Sequence, residues 1–254
     1  MAAAQTLPAR GNVADNVREH LRLAGVASEE RVEILVFPEL SLTGYEIELA
    51  NDLAFSEDDA RLSPLSDAAS SLTLTLVVGA PVRIESRLHI GAFVIRPDRT
   101  VGLYTKHRLG AFSASASRDG SVPPAERTAF HPGDRNPLVE VGETRAAIAV
   151  CADTGDPAHP SAAAARGAKT YFASMFVIPS EFELESASLA AYAAQHSMAV
   201  VMANFGGKTG GLVSAGRSAI WSEKGELLAQ LGPTGAGIVI ATRTRGEWRA
   251  KTVT

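Results

Sequence analysis

Several ordinary ingredients are scarce in this chain, and each shortage removes a class of protein. One cysteine among 254 residues cannot form an intrachain disulfide framework, so a reducing, cytoplasmic setting is expected. Basic residues are outnumbered, 24 against 28 acidic ones, and the formal net charge of −4 gives no footprint for nucleic acid. No apolar run approaches the roughly 18 residues that suggest a membrane span. Met1-Ala2-Ala3-Ala4-Gln5 lacks the basic and apolar regions of a signal peptide. The six histidines show no metal-ligand pairing, and a lone thiol cannot build a zinc knuckle, so no metal is expected. There is no internal repeat, low-complexity linker or composition break, so residues 1–254 read as one domain. The expected partner is a small molecule, with no nucleic acid and no membrane.

What is present is a succession of short apolar runs and amphipathic stretches. Asn12 to Ala27 places Val13, Val17, Leu21 and Ala24 three or four residues apart, which predicts a helix capped by Asn12. Ile34-Leu35-Val36-Phe37 is a buried strand stopped by Pro38, which leaves Glu39 just past its end. A second helix is expected over Asp58 to Ser71 and a strand from Leu72 to Gly79. Leu88 to Ile95 and Thr100 to Tyr104 form hairpin partners around Pro97-Asp98-Arg99. Residues 110–124, rich in Ser, Ala, Gly and Pro, read as a long loop. Ser161 to Gly167 and Glu181 to Ser197 are helical. Thr170 to Phe176, Ala199 to Asn204, Ser218 to Trp221 and Gly237 to Ala241 are strands. Helices alternating with strands, then strands in succession, predict mixed sheets.

Ala146-Ala147-Ile148-Ala149-Val150-Cys151-Ala152-Asp153 stands out: an apolar run that ends on the one thiol. Alone, such a cysteine is more often a small core hydrophobe than a nucleophile. Glu39 alone is an ordinary loop charge, and Lys106-His107-Arg108 a solvated strand end. Two apparent motifs fail. Gly207-Lys208-Thr209 lacks the glycine of a phosphate-binding loop, since Met202 occupies its place. Asp153-Thr154-Gly155 spells an aspartic-protease signature but occurs once, where that chemistry needs two carboxylates.

Taken together, a carboxylate, an ammonium and a thiol each follow a strand, in the order Glu39, Lys106, Cys151. With Val36-Phe37-Pro38-Glu39-Leu40, Thr43-Gly44-Tyr45, Tyr104-Thr105-Lys106-His107-Arg108-Leu109 and Ile148-Ala149-Val150-Cys151-Ala152-Asp153, the chain resembles the nitrilase superfamily of carbon–nitrogen hydrolases. Glu126 ahead of Gly133, Gly142, Asn204, Gly216-Arg217-Ser218-Ala219-Ile220 and Gly225-Glu226-Leu227-Leu228-Ala229 extend the resemblance from Gln5 to about Ala241. It implies an α/β fold: a four-layer α-β-β-α sandwich of two mixed β-sheets with outer helices, assembled as a homodimer or higher homo-oligomer.

The resemblance also implies roles. A free thiol near pKa ~8.5 is mostly protonated at neutral pH, and a nearby ammonium and carboxylate remedy that. Cys151 would attack, Glu39 would act as general base, and Lys106 with the Ala152 N–H would stabilise the oxyanion. Glu126 would orient substrate or Lys106, and no cofactor is required. Tyr45, Met175 and Phe176 are candidate pocket walls. The small Ala152, the missing Arg-Phe-Pro-Glu after the cysteine, and Ser174-Met175-Phe176-Val177-Ile178-Pro179 depart from the family pattern. The expected reaction is hydrolysis of a small amide or N-carbamoyl compound. The alternatives are nitrile hydrolysis by the same triad, a Cys–His hydrolase using His131 or His159, and a non-catalytic binding relative.

Overall fold

The computed structural model describes residues 1–254 apart from Arg118 and Glu143; the first of these, within the expected loop 110–124, lies outside the described residues. In chain order the regular elements are β1 (Ala2–Gln5), α1 (Val13–Glu29), β2 (Ile34–Val36), α2 (Ala50–Leu53), α3 (Ser63–Leu72), β3 (Thr75–Ile84), β4 (Arg87–Ile95) and β5 (Val101–Thr105). There follow β6 (Val139–Val141), β7 (Thr144–Val150), α4 (Ala158–Ala165), β8 (Thr170–Ser174), α5 (Phe182–His196) and β9 (Ala199–Ala203). The chain closes with β10 (Lys208–Thr209), β11 (Leu212–Val213), β12 (Ala219–Trp221), β13 (Leu227–Gln230), β14 (Gly237–Thr244) and β15 (Glu247–Val253).

Apart from β10 and β11, which pair with each other, these strands build two mixed sheets. One has seven strands in the order β15-β14-β1-β2-β3-β4-β5, the other six in the order β13-β12-β9-β8-β7-β6. In each, a parallel trio lies among antiparallel neighbours: β1-β2-β3 in the first, β7-β8-β9 in the second.

Side-chain alternation sets the layering. Ile34 and Val36 face a core shared with Ile148, Val150, Phe172 and Val201 of the other sheet. Their neighbours Leu35 and Phe37 turn to the opposite face, where Leu23, Ala24 and Leu65 of α1 and α3 cover them. Ala147, Ala149 and Tyr171 likewise face Leu189 and Ala193 of α5. Each Val, Leu, Ile or Phe so buried contributes about 1.5–3 kcal/mol, and three stacked interfaces give the four-layer α-β-β-α sandwich.

Several boundaries differ from the sequence reading, each for a local reason. The strand expected from Leu72 starts at Thr75, because Leu72 ends α3 and Thr73 caps it in the left-handed region at φ 52°. Of the helix expected over Asp58 to Ser71, residues 60–62 form a 3-10 turn, and Pro64 sits at the entry of α3 rather than breaking it. Helix α4 begins at Ala158, three residues early. The strand expected to Phe176 stops at Ser174, where the chain leaves the ladder. Three strands of the two mixed sheets, β1, β6 and β15, were not read from the sequence. β1 is Ala-rich yet wholly buried, and β15 is a largely exposed edge strand in which Trp248 and Ala250 alternate with charged residues over only a few positions.

Candidate active site

The site forms where strand ends of both sheets meet, and Ser174 ties them by donating to the Phe37 carbonyl at 2.7 Å. Glu39 enters from the turn after β2. That turn leans on β3 so closely that a β-carbon at Gly79 would press on the Leu40 nitrogen and, at 2.7 Å, on the Pro38 carbonyl. Only glycine admits the approach. Lys106 follows β5, and its backbone is held from both sides, by Lys106 N to the Ile90 carbonyl and by Gly133 N donating to the Lys106 carbonyl at 2.7 Å. Cys151 follows β7 with φ at 44°, a left-handed conformation that costs of order 1–3 kcal/mol in a residue with a side chain. It aims the thiol off the end of the sheet.

The structure brings the sequence-selected polar groups together. Lys106 is fully buried, and its Nζ donates to Glu39 Oε1 at 2.6 Å and Glu126 Oε1 at 2.7 Å. Glu126 is fixed further by the Tyr45 hydroxyl at 2.8 Å and by Gly110 N at 2.7 Å. Glu39 Oε2 is buried without a hydrogen-bond partner among the described residues. The Cys151 thiol donates weakly to the Phe176 carbonyl at 3.7 Å.

Charge and burial tune this group. Burial, opposed by Lys106 and assisted by Glu126, pushes the Glu39 carboxyl up to about 7. Burial alone would lower Lys106, but Glu39, Cys151 and Glu126 outweigh it and hold the ammonium charged. Burial and the Glu39 charge push the Cys151 thiol up, with Lys106 opposing. The resting nucleophile is therefore a thiol, with a base poised near neutrality beside it.

A cavity of about 250 Å³ opens on Cys151. Tyr45, Ala152, Met175 and Phe176 line it, and Phe112, from the 110–124 loop, joins them. Tyr45, Phe112 and Phe176 pack edge-on or tilted against one another, with centroids 4.9–5.7 Å apart. Asn204 fixes the wall behind them: its side chain bonds both the N–H and the carbonyl of Val177, at 3.0 and 3.2 Å. A larger cavity of about 480 Å³ beyond Tyr45, near Arg10, Glu46 and Lys208, is not lined by Cys151. The histidine alternative finds no support: His159 is bonded to the Tyr104 and Tyr171 hydroxyls, and His131 lies against His89. Among the described residues no His/Cys/Asp/Glu cluster has the makings of a metal site.

Sequence reasoning missed Asp153, discarded there as a false protease motif. Its buried carboxylate accepts four hydrogen bonds: His107 N at 3.1 Å and Arg108 N at 2.8 Å on Oδ1, the Tyr104 hydroxyl at 2.7 Å and Val150 N at 3.0 Å on Oδ2. It clips the segment carrying Lys106 to the strand carrying Cys151. All four partners are donors, so only an acceptor-only group fits. Asp153→Asn must turn its amide toward a donor. We expect a loss of about 1–3 kcal/mol in stability and a fall in kcat of at least about tenfold. The pH profile of Cys151 alkylation should shift as Lys106 moves. An unchanged alkylation profile would show that the clip does not set the Lys106–Cys151 geometry.

Comparison with known proteins places these features in a family. Residues 1–252 match the model of the carbon-nitrogen hydrolases. Glutamine-dependent NAD(+) synthetase of Mycobacterium leprae is 29% identical over 249 residues, 87% of this chain and 35% of that protein. The enzyme of that name from Thermotoga maritima is 26% identical over 166 residues, 65% of this chain and 27% of that one. The chain thus spans about a third of the length of these curated relatives. Among solved structures, amidase from Nesterenkonia sp. AN1, of the nitrilase superfamily, superposes with a TM-score of 0.82 at 26% identity, covering 93% of this chain and 87–88% of that one. One mutant of that amidase carries the acetamide moiety of fluoroacetamide covalently on its active-site cysteine; a cysteine-to-alanine mutant holds butyramide. Whole-chain agreement in sequence model and in fold makes this protein a member of the carbon–nitrogen hydrolase family.

Proposed function

We propose that the chain hydrolyses small aliphatic amides through a thioester on Cys151. The observation that carries this reading is the fully buried Lys106 bridging Glu39 and Glu126 at 2.6 and 2.7 Å beside the thiol. Sγ attacks the amide carbon as its proton passes to Glu39, whose unpartnered Oε2 has no other claim on it. Lys106 and the Ala152 N–H face the negative charge that gathers on the carbonyl oxygen. Glu39 returns the proton to the departing nitrogen as the C–N bond breaks. Glu39 then takes a proton from water, the oxygen bonds to the acyl carbon, the C–S bond breaks, and the sulfur recovers its proton. Glu126, held by Tyr45, keeps Lys106 in place.

The cavity argues for a small substrate: at about 250 Å³ it lies below the roughly 300–1,000 Å³ of drug-sized sites. Its aromatic wall suits a short aliphatic chain. N-carbamoyl compounds fit the same chemistry, and nitriles would form a thioimidate in place of the tetrahedral oxyanion. A second reading, favoured by the curated relatives, makes the amide that of glutamine.

Intact-mass spectrometry tests the proposal. Wild type and Lys106→Ala are exposed to short amides, carbamoyl compounds, glutamine and nitriles. The expected result is an acyl increment on wild-type Cys151 that decays with release of ammonia and is missing from the variant. Absence of both adduct and ammonia throughout, with Cys151 alkylating as an ordinary thiol, would point to a binding role.

A further inference from the structure

The same cavity has a charged mouth that the chemistry at Cys151 does not use. Glu181 and Glu185 both line it, as does the exposed Arg108. The two glutamates stand four residues apart at the start of α5, where side chains share a face. Like charges at that spacing repel, and such pairs destabilise a helix. Neither has a salt-bridge partner among the described residues, whereas Glu183, on the same turn, pairs with Arg217 at 3.4 Å. The one side-chain hydrogen bond that Glu185 receives is from the Thr154 hydroxyl at 3.3 Å, in the turn that follows Cys151.

A helix N-terminus favours carboxylates and would hold their pKa values down. Here burial, with mutual repulsion at Glu181, pushes both up instead. Glu181 is exposed and Glu185 half-buried; both line the cavity without an ion-pair contact among the described residues, although Arg108 lines it too. The cavity is marked as a ligand site independently of them, by the nucleophile at its floor and by the fully buried Glu39 Oε2 without a partner behind it.

We propose that Glu181 and Glu185 select amides that carry a protonated amine, seating the ammonium at the cavity mouth while the amide reaches Cys151. The proposal rests on the hydrolytic reading of Cys151 and adds the substrate's charge class. The ammonium supplies the ion-pair contact that neither carboxylate makes with Arg108 or any other described residue, and its N–H donors fit their oxygens. Arg108 leaves room for a carboxylate on the same substrate, so an amino-acid amide fits as well as a plain ω-amino amide.

The test compares ω-amino amides of increasing chain length with butyramide and its homologues, and with succinamic acid as the anionic counterpart. Hydrogen bonds to a charged group correspond to about 10–100-fold in affinity. Wild type should prefer the best ω-amino amide over its alkyl isostere by at least about tenfold in kcat/KM, mainly through KM. In Glu181→Gln/Glu185→Gln that ratio should collapse toward unity. A ratio near unity in wild type, a ratio untouched by the double substitution, or a preference for succinamic acid would overturn the proposal. Calorimetry with the same compounds on Cys151→Ala separates this from the functional reading. If no amide is turned over, the hydrolytic reading fails, yet tighter binding of the ω-amino amide still supports the carboxylates' role. Equal binding, or none, refutes it.

Discussion

Replacing Lys106 by Met should lower kcat for amide hydrolysis by at least about 10²–10³-fold, the usual loss for one oxyanion-stabilising donor. It should also weaken the fold, since Glu39 and Glu126 would face each other in the interior with no cation between them. Removing one partner of a buried ion pair costs about 3–5 kcal/mol, or roughly 6–20 °C in Tm for a chain of this size. The damage should depend on pH in a definite sense. Lys106 is the charge that lowers the Glu39 carboxyl from where burial alone would put it. Without it, Glu39 should hold its proton to higher pH, and the repulsion is relieved wherever that proton is bound. Melting curves at pH 5.5 and 8.5 should show the larger deficit at the higher value. An equal deficit at both would mean that the two carboxylates do not oppose each other in the variant.

Why these three polar groups could be chosen from sequence, while others could not, follows from how each is held. Glu39, Lys106 and Cys151 each follow an apolar run that folds as a strand, so strand-end placement was readable from period and punctuation, and the family resemblance then singled the three out. The unbroken apolar run Ile34 to Phe37 likewise read as a buried strand, while the layering that its two faces now show was implied only by the resemblance. Asp153 was different, because its work is to accept from backbone donors of a distant segment, and backbone donors leave no trace in residue identity. The left-handed φ of Cys151 is also invisible, since it is imposed by the turn and not by a glycine. Glu181 and Glu185 looked like ordinary acids at a helix start, and only the fold turns them toward the thiol's cavity. β15 escaped notice for the opposite reason. It is a largely exposed edge strand that packs only Trp248 and Val253 against the cores, too few apolar positions to mark it.

Glu39→Gln should separate catalysis from stability in opposite directions. As general base, Glu39 must be ionised, and its carboxyl lies at about 7. Wild-type kcat/KM should therefore fall as pH drops through about 7. The variant should lose about 10²–10⁴ in kcat together with that acid limb. Stability runs the other way. The folded carboxyl is raised from 4.5 to about 7, so the native state binds a proton more tightly than the unfolded chain. Near pH 4 and below both states hold it, and the group contributes nothing to the pH dependence. Between 4.5 and 7 the unfolded chain ionises first, and native stability drains away as pH rises. Above about 7 the penalty is complete, on the order of 3 kcal/mol. Glutamine keeps an oxygen to accept from Lys106 Nζ and has no charge to desolvate, so the variant should melt higher than wild type at pH 8 and converge with it near pH 4. A variant less stable at pH 8 would mean that the Glu39 charge is compensated in the folded state, and that the acid limb belongs to another group. A variant more stable and nearly inactive would show that the base's readiness to give and take a proton is the same property that makes it costly to bury.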